Sequence, residues 1–393
     1  MPRHLLRSLC LLGFAVPAAA QAPRTWPEFT RAFQAYVDSD KVVGASAVFV
    51  RDGRVVARYD AGMQDRTAGV RVDSQTIFHW GSITKSLTAI SIMQLRDRGK
   101  LSLDDKIVKW VPELHTMHDP YGMMDSITLR MLLSHTAGFQ NPTWPYTKGR
   151  PWEPFEPTTW NQLVAMMPYQ QLEFKPGSRY GYSNPGFIYL ARVIEQLTGD
   201  PWEDYVHKNI FEPLELRWSY FRSTPYYLAS HRSHNYYAVR DSVTNREQLV
   251  DNGADFDPGI TSPNGAWNAP VGDLVKYVAF LTDAVLPGMT QNRYDVVLSR
   301  KSLAEMWQPG KPMSDSYESA PNQWMGLSFF VIDRGGTRLL GHTGSQAGFR
   351  SFYYFNPLTK TGVIAVFNTT NYVAPATAAQ RRVQDMALDL LRP

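Results

Sequence analysis

The sequence predicts an α+β protein: one antiparallel sheet flanked by the terminal helices, a mainly helical lobe beside it, and a ligand cleft between the two. Three observations lead there. Runs rich in β-branched and aromatic residues, broken by tight turns, gather near both ends of the chain, at residues 42–59 and 324–368. Apolar residues at helical spacing fill the middle and stand outside the strands at both extremes. Strands so far apart in the chain bury their shared face most simply in one sheet, which leaves the central segment to form its own lobe. On this reading residues 21–393 are a single domain, with about 25–80 and 270–393 in the sheet lobe and about 81–269 in the helical lobe.

Taken in order, residues 26–38 place Phe29, Phe33, Tyr36 and Val37 on one helical face. Residues 42–50 form a strand, Asp52-Gly53 a hairpin turn, and 54–59 the returning strand. A helix runs over 82–98, with Ile83, Leu87, Ile90 and Met93 on its buried side and Gly99 as its stop. Residues 127–134 are a short apolar helix ahead of His135-Thr136-Ala137-Gly138. Segment 140–160 sets Trp144, Trp152, Phe155 and Trp160 among prolines, which suits a rigid irregular loop serving as a lid or as packing. Residues 186–197 are a helix closed by Gly199, and 267–281 another after Asn264-Gly265. Residues 324–332, 338–342, 349–355 and 362–368 are successive antiparallel strands, with a turn at Arg334-Gly335-Gly336. Ala379, Val383, Met386, Ala387 and Leu390 mark a C-terminal amphipathic helix.

Residues 1–20 predict a secretory leader. Arg3 and Arg7 precede a short apolar run at 9–16, and Ala18-Ala19-Ala20 before Gln21 offers a small-residue cleavage site. The run is too short to span a bilayer, and no other segment approaches that length. The single cysteine, Cys10, lies inside the leader in a poor lipidation context, so the mature chain has neither disulfides nor a cysteine nucleophile. Removing Arg3 and Arg7 takes the formal charge from +4 to +2, and without a long basic run the chain is not expected to bind nucleic acid. The expectation is an exported bacterial protein, periplasmic or secreted, with no membrane span and an oligomeric state left open.

The chemistry centres on Trp80-Gly81-Ser82-Ile83-Thr84-Lys85, which holds the only Ser-x-x-Lys of the chain. On a helix, residues three apart share a face, so the amine of Lys85 can reach the hydroxyl of Ser82. A serine needs such a proton acceptor to become a nucleophile near neutral pH. The start of a helix adds backbone N–H groups and a positive dipole end that favour developing negative charge. Alone, the pair fits an N-cap serine with a solvated lysine just as well. Two further motifs follow in the chain: Tyr182-Ser183-Asn184, and His342-Thr343-Gly344 before Ser345.

With these three motifs in this order, and with Thr128-Leu129-Arg130-Met131-Leu132-Leu133-Ser134-His135-Thr136-Ala137-Gly138 between them, the chain resembles the class C β-lactamase and D-alanyl-D-alanine carboxypeptidase group of serine hydrolases, which also includes esterases and D-amino-acid peptidases. The resemblance covers nearly the whole mature chain and implies a β-lactamase/transpeptidase-like fold. It implies that Ser82 attacks the carbonyl and forms an acyl-enzyme, and that Lys85 and Tyr182 are its proton relay. It further implies that Asn184 holds the substrate amide and that the backbone N–H groups of Ser82 and Ser345 form the oxyanion hole. His342, Thr343 and Gly344 would bind substrate, with His342 and Thr343 taking a carboxylate and Arg350 a further candidate for it. Class C β-lactamases carry lysine where this chain has His342, whereas some secreted carboxypeptidases of the group have His-Thr-Gly.

The expected function is therefore an exported acyl-enzyme hydrolase of small-molecule or peptide substrates, foremost D-amino-acid peptides and related amides. An esterase, a weak class C-like β-lactamase and a non-catalytic peptidoglycan or β-lactam binder are the alternatives. Nothing calls for a cofactor or a metal. His115-x-x-His118-Asp119 lacks the surroundings of a zinc site, and Asp251, Asp255 and Asp257 lack calcium-loop spacing. Tyr354-Phe355-Asn356, a second Tyr-x-Asn, reads as structural, and no Gly-x-Ser-x-Gly elbow occurs.

Overall fold

A computed structural model describes residues 21–142, 146–147, 150–151, 157–288, 294–313 and 322–393. The leader at 1–20, and Trp144, Trp152 and Phe155 of the aromatic segment, lie outside the described residues. The chain opens with α1 (Trp26–Ser39), whose Pro27 in the first turn loses no helical hydrogen bond. β1 (Gly44–Arg51) and β2 (Arg54–Asp65) follow as a hairpin. Its turn residues Asp52 and Gly53 both have positive φ, +49° and +71°, which matches the turn to the twist of the strands. A two-residue strand, β3 (Val70–Arg71), ends this side of the sheet.

The serine segment departs from the single helix expected over 82–98. Gly81–Thr84 is a 3₁₀ turn, and α2 (Lys85–Asp97) begins only at the lysine. The first eleven residues of α2 are buried, so it is a central helix rather than an amphipathic one. α3 (Pro185–Thr198) ends at Gly199, whose φ of +76° lets its N–H bond back to the Glu195 carbonyl. The helix expected over 267–281 splits: Asn268–Pro270 pairs as a strand with Ile77–His79, and α4 (Val271–Thr282) starts after Pro270. Proline disfavours helical backbone in the residue before it, which accounts for the break.

The strand expected over 324–332 is two strands, β4 (Gln323–Met325) and β5 (Phe330–Arg334), turned at Ser328 with φ +65°. β6 (Thr337–Gln346) runs four residues beyond His342 and reaches β7 (Phe349–Asn356) through Ala347-Gly348, both with positive φ. β8 (Thr361–Phe367) and α5 (Thr377–Asp389) complete the chain. The sheet order is β4-β5-β6-β7-β8-β1-β2-β3, with antiparallel neighbours throughout. A hairpin of Tyr236–Arg240 and Glu247–Asp251, not read from the sequence, stands within the span assigned to the helical lobe, and Thr369–Asn371 joins it in parallel.

Alternation along β1 sends Ala45, Ala47 and Phe49 to one core and Val48 and Val50 to the other. The first core packs α1 and α5 on the sheet through Phe29, Phe33, Val383 and Ala387. The second joins the opposite face to α2, α3 and α4. The sheet is thus a middle layer, and β6 reaches the serine turn with its far end. The fold is the α+β architecture expected.

Candidate active site

Lys85 lies at the start of α2, one turn after Ser82, and its side chain has no exposed surface. Its ammonium donates to Ser82 Oγ at 3.1 Å, to Asn184 Oδ1 at 2.8 Å and to the Asn264 carbonyl at 2.8 Å. An ammonium has only donors, so each of these oxygens acts as acceptor. Two of these partners carry the sequence motifs. The third, Asn264, was not among the expected site residues: it acts through its main chain, which no residue type announces. It lies on the one-turn helix Ser262–Gly265, docked on α2 by a hydrogen bond from Thr88 Oγ1 to the Pro263 carbonyl.

Tyr182 enters from the loop before α3. Its ring centroid lies 4.9 Å from Lys85 Nζ and 6.4 Å from the ring of His342. The ammonium thus lies at cation–π range of the Tyr182 ring. Asn184 is fixed from two sides, since its Nδ2 donates to Asn141 Oδ1 at 3.1 Å and its backbone N–H to the Asn141 carbonyl at 3.1 Å.

β6 meets the serine turn through backbone contact. A β-carbon on Gly344 would fall 2.0 Å from the Trp80 carbonyl oxygen, and one on Gly81 would fall 2.8 Å from Ser345 N. Gly81 also has φ +55°. Only glycine permits this approach. It sets the main chain of Ser345 beside that of Gly81. Ser351 Oγ on β7 also donates to the Trp80 carbonyl, at 2.9 Å.

His342 departs from the role expected of it. Its imidazole is fully buried and stacks on Phe330, with ring centroids 4.4 Å apart. Nδ1–H donates to the Thr343 carbonyl at 2.5 Å, which leaves Nε2 as the unprotonated nitrogen. Burial, followed by the nearby Lys85 charge, lowers its pKa to about 3. A neutral, enclosed ring offers no positive charge to a carboxylate. Positive charge stands instead on the other face of β6. A cavity of about 390 Å³ is lined there by Thr343, Ser345, Arg350, Gln380 and Arg381 among others. Arg350 is held in place by Gln380 Oε1 at 2.8 Å, and Arg381 is exposed.

His79, three residues before the serine, was also missed. It is buried, with Nδ1 2.9 Å from Asn268 Oδ1 and Nε2 3.2 Å from Gln346 Oε1. Burial first, then the charge of Arg232, brings its pKa down to about 4. As a neutral group it can donate to only one of these two oxygens, and it lies between the serine turn and the end of β6.

Among the described residues one group could hold a metal: Asp65, His234 and Asp251 place ligand atoms within 4.8 Å of one another. His234 is already bonded to Asp251 at 3.0 Å. The other metal decoys are structural. His115 pairs with Asp125, Asp119 accepts three backbone N–H groups of its own turn, and Asp255 and Asp257 accept from Thr224 and Arg222. Asn356 of the second Tyr-x-Asn caps a turn at Leu358 and bonds Leu391.

The Beta-lactamase family model matches residues 29–387 of the chain. Protein flp of Staphylococcus aureus is 23% identical over 344 residues; the match takes 85% of this chain and 61% of that protein, so the chain spans about three fifths of that relative's length. The octameric penicillin-binding protein homologue from Pyrococcus abyssi superposes with a TM-score of 0.74 at 26% identity, over 93% of this chain and 77% of that one. A D-stereospecific amidohydrolase from Streptomyces sp. gives a TM-score of 0.67 at 25% identity, over 92% and 98%. A class C β-lactamase shares the fold at 16% identity, with a TM-score of 0.68 over 91% and 95%. A buried lysine bonded to a serine one turn before it, on this fold and in a chain matched by the family model almost throughout, places the protein in the β-lactamase family of serine hydrolases.

Proposed function

We propose that the protein is an exported hydrolase that forms an acyl-enzyme on Ser82 and acts on D-amino-acid peptides or related amides, as a D-alanyl-D-alanine carboxypeptidase does. The observation that carries this reading is the convergence on Lys85: Ser82 Oγ at 3.1 Å and the Tyr182 ring at 4.9 Å. Attack by Ser82 Oγ forms a C–O bond to the substrate carbonyl while its proton passes to the Lys85–Tyr182 pair. The oxyanion develops between the N–H groups of Ser82 and Ser345, where one donor is worth roughly 3–4 kcal/mol. Collapse breaks the C–N bond, and the leaving amine takes the proton from Tyr182. Water then adds to the acyl-serine by the same route, which releases the acid and restores the hydroxyl.

The likeness to a D-stereospecific amidohydrolase supports an amide substrate of D configuration. Arg350 and Arg381 beside Thr343 support one that ends in a carboxylate. The neutrality of His342 favours a second reading, an esterase for uncharged acyl esters, since it removes the cation from the strand itself. Support for export is the sequence of residues 1–20.

The test is a substrate comparison on purified mature protein, with Ser82→Ala as control. A peptide ending in D-alanyl-D-alanine is expected to release D-alanine with a higher kcat/KM than a short-chain nitrophenyl ester is hydrolysed. Arg381→Ala is expected to lower kcat/KM on the peptide about tenfold, equivalent to about 1.4 kcal/mol of binding. Turnover of the ester alone would remove the peptidase reading.

A further inference from the structure

His135 follows the short helix Leu129–Leu133 and is buried, with φ +54°. A non-glycine residue seldom adopts this left-handed backbone, and histidine is among the few that do so more often. The conformation turns three parts of one residue toward Tyr182. The His135 carbonyl accepts the N–H of Gly181 at 2.8 Å. Its Nδ1 accepts the N–H of Ser183 at 3.0 Å. Its ring lies against the Tyr182 ring, with centroids 4.3 Å apart and planes 25° from parallel. The backbone is therefore held on both sides of Tyr182, and the plane of the phenol is set as well. Phe187 of α3, at 5.1 Å, and Tyr180, at 6.0 Å, close around the same imidazole.

From this we propose that His135 is the positioning residue of Tyr182: it aims the phenol at Lys85 and Ser82 without itself touching substrate. The inference rests on Tyr182 belonging to the proton relay. The role requires a neutral imidazole, because protonated Nδ1 could not accept from Ser183. Burial, the charge of Lys85 and His342 together hold the His135 pKa well below its usual value, which keeps Nδ1 an acceptor at neutral pH. Since Nδ1 accepts, the proton sits on Nε2, which is buried without a hydrogen-bond partner among the described residues.

The experiment measures the rate of Ser82 acylation by an activated ester in parent and Tyr182→Phe proteins, each with His135 intact, His135→Ala or His135→Asn. Misplacing a reacting group by about an ångström costs on the order of 100-fold, and that is the loss expected of His135→Ala in the parent. Asparagine tolerates positive φ and can offer an oxygen near the Nδ1 position, so His135→Asn should lose less, roughly tenfold. In the Tyr182→Phe background neither change should cost more than about twofold further, because the hydroxyl being aimed is gone. A merely structural histidine would lower the rate by the same factor in both backgrounds, and that result overturns the inference. Parent-like acylation by His135→Ala also overturns it. If His135→Ala does not fold, His135→Asn in the two backgrounds decides by the same criterion. Unimpaired Tyr182→Phe would bring down the relay reading, and this inference with it. An impaired Tyr182→Phe beside an unimpaired His135→Ala would bring down this inference alone.

Discussion

At the scale of single residues, the cleft depends on histidines kept neutral. His79 is brought down to about 4 and His342 to about 3, and His135 is held well below the ordinary value, each chiefly by burial. In the unfolded chain all three return to about 6.5. Below that value the unfolded state binds protons that the folded state refuses, so stability falls as the pH falls. The window runs from about 6.5 down to the folded values, near 4 for His79 and near 3 for His342. His79 and His342 should each cost about 2 kcal/mol between pH 7 and pH 5. Urea unfolding at these two values should show a loss of several kcal/mol, and equal stabilities would mean that the rings are not buried as described. Residue spacing made Ser82 and Lys85 legible in the sequence, and motif order added Tyr182 and Asn184. The charge state of His342 was not legible, because it is set by burial of the ring and by the nearby charge of Lys85, and neither shows in the His-Thr-Gly motif. The Asn264 carbonyl was hidden for a related reason, since every residue has one.

At the scale of elements, the site depends on how closely β6 approaches the serine turn. Gly344→Ala puts a methyl 2.0 Å from the Trp80 carbonyl oxygen, and the contact is between main chains, so no flexible side chain can yield. The strand must retreat and carry Ser345 N with it. We expect the substitution to lower the acylation rate on the order of 100-fold while the protein still folds. Acylation within threefold of the parent would show that the two backbones are not so tightly apposed. Sequence patterning found the strands that hold this geometry but misjudged their limits. β6 continues to Gln346 because Ala347-Gly348 makes a tight turn with positive φ at both positions, which an alanine does not advertise. The helix expected from 267 loses its start to a strand that Pro270 ends, a signal present in the sequence. The hairpin of Tyr236–Arg240 and Glu247–Asp251 lacks a clean two-residue turn, and so escaped notice.

At the scale of the whole molecule, two ends of the chain build one sheet, and the middle of the chain brings its chemistry to the end of a strand. That plan was legible because it follows from where the β-rich runs fall: β1 pairs with β8, across more than three hundred residues of sequence. What the sequence could not show was which long-range contacts converge on Lys85, where Asn184 and the Asn264 carbonyl join the neighbouring Ser82. We expect this convergence to make Ser82 the nucleophile. Intact-protein mass spectrometry of the folded chain treated with a fluorophosphonate, followed by peptide mapping, tests that claim most directly. A single adduct on Ser82, absent from Ser82→Ala and slowed in Lys85→Ala, is the result predicted. An unlabelled folded protein, or an adduct on another residue that persists in Ser82→Ala, would contradict it.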